Sequence, residues 1–310
     1  MEVKEALETF ELNLDNRSEE TQTYYMNKLR VFAEWCQEHN LELEHVTPSV
    51  VKKFVDQLKK AINQRTGKPL SSETVHGYAY VVKLFLGFCS KDEMYSEYVT
   101  SRTVKLISVP KVEDKVIEIF KPEEITALFK ACERNTIDEL KYRDRAILSL
   151  LLDTGVRASE LCQLTVRNVD LNPRDSYIKV MGKGGKEREI GLGEKSRLAL
   201  HRYLRKRRAK PDETVFLTRY HEPFNRNGLD QILYRLRDWA GLEGVTVRAH
   251  KWRHTFATTY LVNGGDVYKL SRLMGHSSVS TTEKYVRSMK NREARKGFSV
   301  LDSMTEDKKK

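Results

Sequence analysis

Six side chains in the second half of the chain form a set that can move a phosphoryl group without a metal ion. In chain order they are Arg157, Lys183, His250, Arg253, His276 and Tyr285. Two arginines can neutralise the charge that grows on the phosphate oxygens in a pentavalent transition state, because a guanidinium is planar and permanently charged. A tyrosine hydroxyl, with an ordinary pKa of about 10, becomes a useful nucleophile when a base or cationic surroundings assist it. Histidine can transfer protons near pH 7, and a hairpin lysine can protonate a leaving oxygen.

Each of these residues, taken alone, has a plainer explanation. An arginine that follows a helix-ending glycine, as Arg157 does, is usually a surface residue, and a lysine in a glycine-rich turn, as Lys183 is, usually faces solvent. A single tyrosine such as Tyr285 is usually a half-buried core residue. His250 and His254 have an i, i+4 spacing that can bind a metal ion on a helix, but the glutamate of an HExxH motif and an evident third ligand are both missing. The interpretation therefore depends on the whole set, and the sequence predicts no metal site.

The elements that must position this set begin with a helical N-terminal region. Ser18, the pair Thr47-Pro48 and Ser71 or Ser72 are typical helix starts. Apolar residues follow each start at the three- and four-residue steps of one helix face. The three stripes are Tyr25, Leu29, Phe32 and Cys36; Val51, Phe54, Val55 and Leu58; and Val75, Tyr78, Val82 and Phe85. These stripes predict a small helical domain over residues 1–102.

Residues 103–118 contain one proline and alternating charges without a helical stripe, so they predict an extended linker. Pro122 then marks the first position of a helix. A further helix is expected to end near Asp153, at the pair Thr154-Gly155, and another to begin near Arg157. The second domain is therefore expected to span residues 119–310.

Two short strands, Tyr177–Met181 and 188–192, flank a glycine-rich turn at 182–185 and predict a β-hairpin. Lys183 lies in that turn. The remaining sequence predicts helices separated by turns at 241–244 and 263–265. The predicted fold is mainly α, with a small β-sheet in the second domain.

Charge and composition indicate which classes of partner and which cellular location the sequence favours. Lys and Arg outnumber Asp and Glu, 55 to 44, and the net charge of +11 favours a polyanion such as nucleic acid. Six basic residues of the helical region could contact phosphates or merely solvate helix faces, namely Lys28, Arg30, Lys52, Lys53, Lys59 and Lys60. The densest basic segment, residues 201–208, has the same two interpretations. The four cysteines are dispersed, which predicts reduced thiols in a cytoplasmic protein. Neither a signal peptide nor an apolar run of membrane-spanning length is evident.

Five motifs bring the set together. Residues 154–161 read TGVRASEL, 182–188 read GKGGKER, 250–258 read HKWRHTFAT, 273–276 read LMGH and 280–285 read STTEKY. They match, in order, the TGxRxxEL, GKGxKxR, HxxR, LxGH and STTxxY motifs of the tyrosine recombinases. The chain thus resembles this family, also called the phage-integrase family, and most closely its two-domain Xer-like members.

The resemblance implies a SAM-like core-binding domain followed by a catalytic domain, and a homotetramer on double-stranded DNA with a specific core site. It implies that Tyr285 forms a 3′-phosphotyrosyl link while Arg157, Arg253 and His276 hold the phosphate. Lys183 would act as general acid and His250 would assist proton transfer, with no cofactor, metal, ATP, small-molecule substrate or membrane. Integration and excision, transposition and dimer resolution all fit this reaction. The segment after Tyr285 would dock on its own domain or on a neighbouring protomer.

Three other functions use the same residues. A type IB topoisomerase shares the chemistry but reseals the same strand. A DNA-binding regulator could retain the fold without catalysis, although all six residues are present. A metallohydrolase using His250, His254 and His276 fits the sequence least well.

Overall fold

The structure, a computed structural model, describes residues 1–64, 66–112, 117–182, 185–276 and 278–288. It divides into two compact units, Met1–Lys115 and Val116–Lys310. Each unit has its own apolar core. None of the described helices is long and apolar enough to cross a membrane.

The described residues of the first unit form five α-helices. They are α1 (Val3–Leu12), α2 (Glu19–Glu38), α3 (Pro48–Lys60), α4 (Ser72–Cys89) and α5 (Ser101–Leu106). The predicted helix starts are confirmed, since Oγ of Ser71 accepts a hydrogen bond from the Thr74 amide (3.2 Å) and Thr47 caps α3 in the same way. The predicted apolar stripes lie inward, and Phe32, Phe54 and Phe85 are fully buried.

Two expectations for this unit are wrong. Residues 103–106 are helical rather than extended, because they complete α5, whose first turn is capped by Thr100 accepting from the Thr103 amide (3.2 Å). Lys28 is buried instead of facing solvent. Its Nζ lies 3.9 Å from the centroid of the Tyr78 ring, and burial lowers the pKa of this amine. Lys28 is therefore a poor candidate for a phosphate contact.

The second unit contains eight helices and a small sheet among its described residues. The helices are α6 (Pro122–Ala131), α7 (Asp138–Thr154), α8 (Ala158–Gln163), α9 (Glu194–Arg207), α10 (Arg226–Trp239), α11 (Ala249–Val262), α12 (Val267–Met274) and α13 (Ser280–Ser288). The strands are β1 (Val169–Asp170), β2 (Tyr177–Met181) and β3 (Glu187–Gly191). They form an antiparallel sheet in the order β1-β2-β3, with Val180 opposite Arg188.

The predicted hairpin is confirmed, although β3 begins and ends one residue earlier than expected. Strand β1 was not predicted, because a two-residue strand has no periodicity to reveal it. At 188–190 the side chains alternate, so Ile190 enters the core while Glu189 is exposed.

Helix α7 is the centre of the second unit, with both α9 and α11 packed against it. Its core face includes Ile147, Leu150 and Leu151, all fully buried. The helix ends as predicted, because Gly155 has a left-handed conformation with φ of +59°.

A smaller apolar cluster joins α11, α12 and α13. Its buried members are Phe256, Ala257, Leu270, Met274 and Tyr285. This cluster holds α13 against α11 and so fixes where the Tyr285 ring lies. Elsewhere in the two cores, all four cysteines of the chain are buried and unpaired.

Candidate active site

Arg157 is positioned by the tight connection between α7 and α8. The chain turns at Gly155, buries Val156, and places Arg157 as the residue that precedes the first turn of α8. The backbone amide of Arg157 donates to Oε2 of Glu160 at 2.8 Å, and its Nη2 donates to the carbonyl oxygen of Gly275, also at 2.8 Å. The guanidinium therefore links this turn to the end of α12 while remaining partly exposed.

Glu160 is a buried carboxylate that two arginines share. Oε1 accepts from Nη1 of Arg157 and from Nη1 of Arg188, both at 2.8 Å, and Oε2 accepts from Nη2 of Arg188 at 2.7 Å. Burial by itself would raise the pKa of Glu160, but the hydrogen bonds from Arg188 and Arg157 outweigh it and lower the pKa to about 2. The carboxylate is thus ionised at neutral pH and orients both guanidinium groups.

Arg253, on α11, ties together the ends of α7 and α12. Its Nη1 donates to the carbonyl oxygen of Gly155 at 2.6 Å, and its Nη2 donates to that of Met274 at 2.6 Å. Burial lowers the pKa of Arg253 to about 10, helped by repulsion from Arg157, so the group remains charged at neutral pH. The guanidinium groups of Arg253 and Arg157 therefore lie close enough to repel each other, and the buried carboxylate of Glu160 lies between Arg157 and Arg188.

His276 follows Gly275, which ends α12 in a left-handed conformation with φ of +62°. Nε2 of His276 lies 3.1 Å from Nη2 of Arg253, and Nδ1 lies 2.7 Å from Oγ1 of Thr282. Because an arginine can only donate, Nε2 accepts, and the Nδ1 proton is then donated to Thr282. Burial and the charge of Arg253 lower the pKa of His276 to about 4, so the imidazole is neutral near pH 7.

Tyr285 lies on α13 with its ring inside the small apolar cluster and only 1% of its surface exposed. Its Oη is 2.9 Å from Nδ1 of His254. Burial raises the pKa of the Tyr285 hydroxyl, while Arg253 and Arg157 act in the opposite direction. The two phosphate-binding candidates therefore also act on the candidate nucleophile.

His250 lies in the first turn of α11 on its exposed side. It contacts His254, and the two ring centroids are 4.1 Å apart. Burial lowers the pKa of His250, and the charges of Lys284 and Arg253 add to this effect. In the described part of the chain, the imidazole in hydrogen-bonding contact with Tyr285 is that of His254.

Lys183 lies outside the described residues, so its expected position opposite the phosphate stays a prediction. The strands on either side of it, β2 and β3, are formed. Five of the six candidate residues are thus described. Arg157, Arg253, His276 and Tyr285 belong to one connected group, and His250 adjoins it through His254.

Three residues of the site were not identified from the sequence, namely Glu160, Arg188 and His254. All three stand within the recognised motifs, at the acidic position of TGxRxxEL, the closing arginine of GKGxKxR and the residue after HxxR. The motif positions are the signal that could have identified them. Their partners could not be read from the sequence, because Arg188 meets Glu160 across 28 residues and His254 meets Tyr285 across 31.

The arrangement of the described residues favours an anion as the ligand. Among the described residues there is no group of three or more His, Cys, Asp and Glu side chains that could hold a metal ion. Guanidinium groups, by contrast, converge around one turn and one histidine. Such a site can bind a phosphate diester and stabilise added negative charge.

Sequence comparisons agree with these motifs. Residues 118–292, more than half of the chain, match the Phage integrase family, and residues 8–69 match the Phage integrase, N-terminal SAM-like domain. Tyrosine recombinase XerC of Leptospira interrogans is 30% identical over 276 residues, which cover 87% of this chain and 84% of the relative. Tyrosine recombinase XerD of Staphylococcus aureus is 27% identical over 274 residues, covering 86% and 87%.

Solved structures show the same fold. The XerH site-specific recombinase, in a post-cleavage complex with palindromic difH substrate, matches with a TM-score of 0.75 at 20% identity, covering 96% of this chain and 84% of that chain. The Tn1549 transposon integrase in complex with transposon right end DNA matches with a TM-score of 0.75 at 17% identity, covering 98% and 99%. The chain therefore belongs to the phage integrase family and is a tyrosine site-specific recombinase, with the mainly helical fold and small sheet that its sequence predicts.

Proposed function

We propose that this recombinase cuts and rejoins double-stranded DNA at a specific core site through a covalent bond to Tyr285. Oη of Tyr285 attacks the scissile phosphorus, a 3′-phosphotyrosyl bond forms, and the bond to the 5′-oxygen breaks. The 5′-hydroxyl of a partner strand then attacks the phosphotyrosyl bond and releases Tyr285. Because one phosphodiester bond replaces another at every step, the reaction requires no ATP. Arg157 and Arg253 would supply the positive charge that a metal ion provides in other phosphoryl-transfer sites.

The observation that carries this proposal is the connected group around Arg253. Its guanidinium donates to the backbone at the end of α7 and at the end of α12, lies beside His276, and acts electrostatically on Tyr285. Arg157 and Arg253 would hold the phosphate and stabilise the phosphorane. His276 would assist them, because the negative charge of the bound phosphate would raise the lowered pKa of its imidazole. Lys183 would protonate the 5′-oxygen, and His250 would assist proton transfer.

Burial of Tyr285 implies a conformational step before cleavage. A phosphate cannot reach Oη while the Tyr285 side chain is only 1% exposed, so the groups that cover this side chain must move when DNA binds. We therefore expect the protein to cleave only phosphate diesters that also engage the rest of its DNA-binding surface. This fits an enzyme that must avoid cutting random DNA.

The relatives support a wider functional proposal. XerH and the Tn1549 integrase were solved with DNA, which supports double-stranded DNA as the substrate here. We propose a homotetramer that assembles on two duplexes in the cytoplasm, acting in integration and excision, transposition or dimer resolution. Residues 1–102 would form the core-binding domain, 103–118 the connection and 119–310 the catalytic domain with its tail. A tail that docks on a neighbouring protomer falls outside the described residues.

The test is recovery of covalent protein–DNA adducts. Wild-type protein and Tyr285→Phe are incubated with sheared genomic DNA from the source cell, denatured, and the DNA attached to protein is sequenced. We expect the DNA attached to the wild-type protein to come from one discrete site. Tyr285→Phe should give no adduct but should bind that site with unchanged affinity. An adduct formed equally by Tyr285→Phe would show that another residue is the nucleophile.

The same site distinguishes a recombinase from a type IB topoisomerase. Two duplexes that carry the site and differ in length should yield exchanged products of new length. Relaxation of supercoiled DNA without any exchanged product would favour the topoisomerase.

A further inference from the structure

His254 is the histidine that contacts the candidate nucleophile, although it lies outside the set of six residues that the sequence singled out. It is on α11, which packs against α13. Its Nδ1 lies 2.9 Å from Oη of Tyr285, and the two ring centroids are 5.4 Å apart. The position is held by α11 itself, because the next residue along the helix in the N-terminal direction is the anchored Arg253.

His254 is in the protonation state that an acceptor needs. Burial lowers its pKa to about 3, and electrostatic interactions with His250, Lys284 and Arg253 act in the same direction. The charged and titratable groups that act on it lie on α11 and α13, where Tyr285 is its hydrogen-bond partner. In the described part of the chain, α7, α10 and α12, which also pack on α11, contribute none to this shift. The ring is therefore neutral at physiological pH. In the tautomer that carries its proton on Nε2, Nδ1 accepts the hydrogen bond of the Tyr285 hydroxyl.

We propose that His254 is the proton acceptor for Tyr285, an assignment that rests on the proposed phosphotyrosyl reaction. As Oη forms its bond to phosphorus, the phenolic proton moves to Nδ1 of His254. The bond from phosphorus to the 5′-oxygen breaks, and a general acid, expected to be Lys183, protonates that oxygen. In the rejoining step a 5′-oxygen forms its bond to phosphorus and its hydroxyl proton passes to the deprotonated general acid. The phosphotyrosyl bond breaks, and Nδ1 returns its proton to Oη.

The arriving phosphate makes this transfer easier. Its negative charge offsets the positive charge of Arg253, which lowers the pKa of His254. His254 is thus kept unprotonated until DNA binds and becomes more basic when the scissile phosphate arrives. His250, in edge contact with His254, would then stabilise or relay the charge instead of touching Oη itself.

The experiment measures single-turnover cleavage between pH 6 and pH 9 on a nicked duplex that carries the site found by adduct recovery. His254→Asn is the informative variant, because the asparagine oxygen can replace Nδ1 as a hydrogen-bond acceptor but cannot take up a proton. His250→Asn tests the neighbouring histidine. His221→Asn is the matched control, since His221 is exposed and has φ of +62°, a conformation that asparagine tolerates well.

Wild type should cleave at a nearly constant rate across this range, because burial, the largest cause of the lowered pKa of His254, persists when DNA binds and keeps the ring neutral. His254→Asn should cleave about 10²- to 10⁴-fold more slowly at pH 7, the usual contribution of a general base. Its rate should rise about tenfold per pH unit, since hydroxide must then remove the proton of a phenol whose pKa is raised. DNA affinity and melting temperature should match those of wild type, His250→Asn should keep a flat profile, and His221→Asn should be unchanged.

Three results would overturn the assignment. A flat profile with a rate within about threefold of wild type for His254→Asn would show that another group accepts the proton. A steep profile for His250→Asn alone would identify His250 as that group. Faster cleavage by His254→Asn would show that the contact restrains Tyr285 instead of activating it. In each case wild type still forms the adduct, whereas absence of a wild-type adduct would contradict the proposed function as well.

Discussion

Glu160 carries the negative charge on which two arginines of the site depend. Its folded-state pKa, about 2, lies below the ordinary value of 4.5, so its ionised form stabilises the folded protein above about pH 4.5. That contribution, about 3 kcal/mol from the size of the shift, is lost as the pH falls from 4.5 towards 2. The side chain is almost completely buried, so solvent does not screen it.

Glu160→Gln should therefore destabilise the protein most at neutral pH. We expect the difference in free energy of unfolding between wild type and Glu160→Gln to shrink by about 2 kcal/mol between pH 6 and pH 3, as measured by urea denaturation. Glu133→Gln is the control, because Glu133 pairs with Arg145 and Lys141 on the surface and should cost under about 1 kcal/mol at either pH. A difference for Glu160→Gln that does not change with pH would contradict the depressed pKa.

Lys183 has the most specific chemical test of the residues that the sequence selected. Lys183→Ala should slow cleavage of ordinary DNA strongly, because the 5′-oxygen leaves poorly without a proton. A substrate with sulfur at the 5′-bridging position needs no proton on its leaving group and should recover much of the rate. If sulfur gives no recovery, Lys183 is not the general acid, and Lys186 in the same hairpin becomes the candidate.

At the scale of elements, the end of α7 determines where Arg157 lies. Gly155 has φ of +59°, and a Cβ at this position would lie 2.2 Å from Cδ1 of Phe256 on α11. Gly155→Ala should therefore lower the free energy of unfolding for two reasons. An alanine in the left-handed conformation costs about 1–2 kcal/mol, and overpacking against Phe256 should add roughly 1–3 kcal/mol. Gly241→Ala isolates the backbone cost, since Gly241 has φ of +68° with no atom within 4 Å of a Cβ. Equal losses in chemical denaturation would show that α11 moves aside freely.

The elements were predictable where local signals are strong. The end of α7 follows from Thr154-Gly155, and the start of α3 from Thr47-Pro48, because a left-handed glycine and a capped proline act locally. Helix α5 was missed because its six residues are too short to show an apolar stripe. The candidate site was predictable only as a set of motif positions. The pairing of Glu160 with Arg188 depends on how β3 meets α8, which periodicity does not encode.

At the scale of the whole molecule, DNA affinity should depend steeply on salt. The net charge is +11, and log affinity should fall against log salt by about 0.9 for each phosphate contact. Lys52 and Lys53 are exposed on α3. If both contact phosphates, the variant with Lys52→Gln and Lys53→Gln should lower the steepness of log affinity against log salt by up to about 1.8. Tyr285→Phe should leave the slope unchanged, because tyrosine carries no charge at pH 7. An unchanged slope for the lysine variant would exclude this part of α3 from the DNA surface.

The four buried cysteines make the folded protein a convenient background for site-directed labelling. Burial raises the pKa of Cys36, Cys89 and Cys132 to about 12 and that of Cys162 to about 11, so almost no thiolate is present near pH 7. A maleimide dye should therefore modify none of them in the native state and all four in denaturant, as counted by mass spectrometry. One cysteine introduced on an exposed face of α13 would then be the single reactive thiol. A fluorophore there would report directly when Tyr285 leaves its buried position, molecule by molecule, without removal of any natural cysteine.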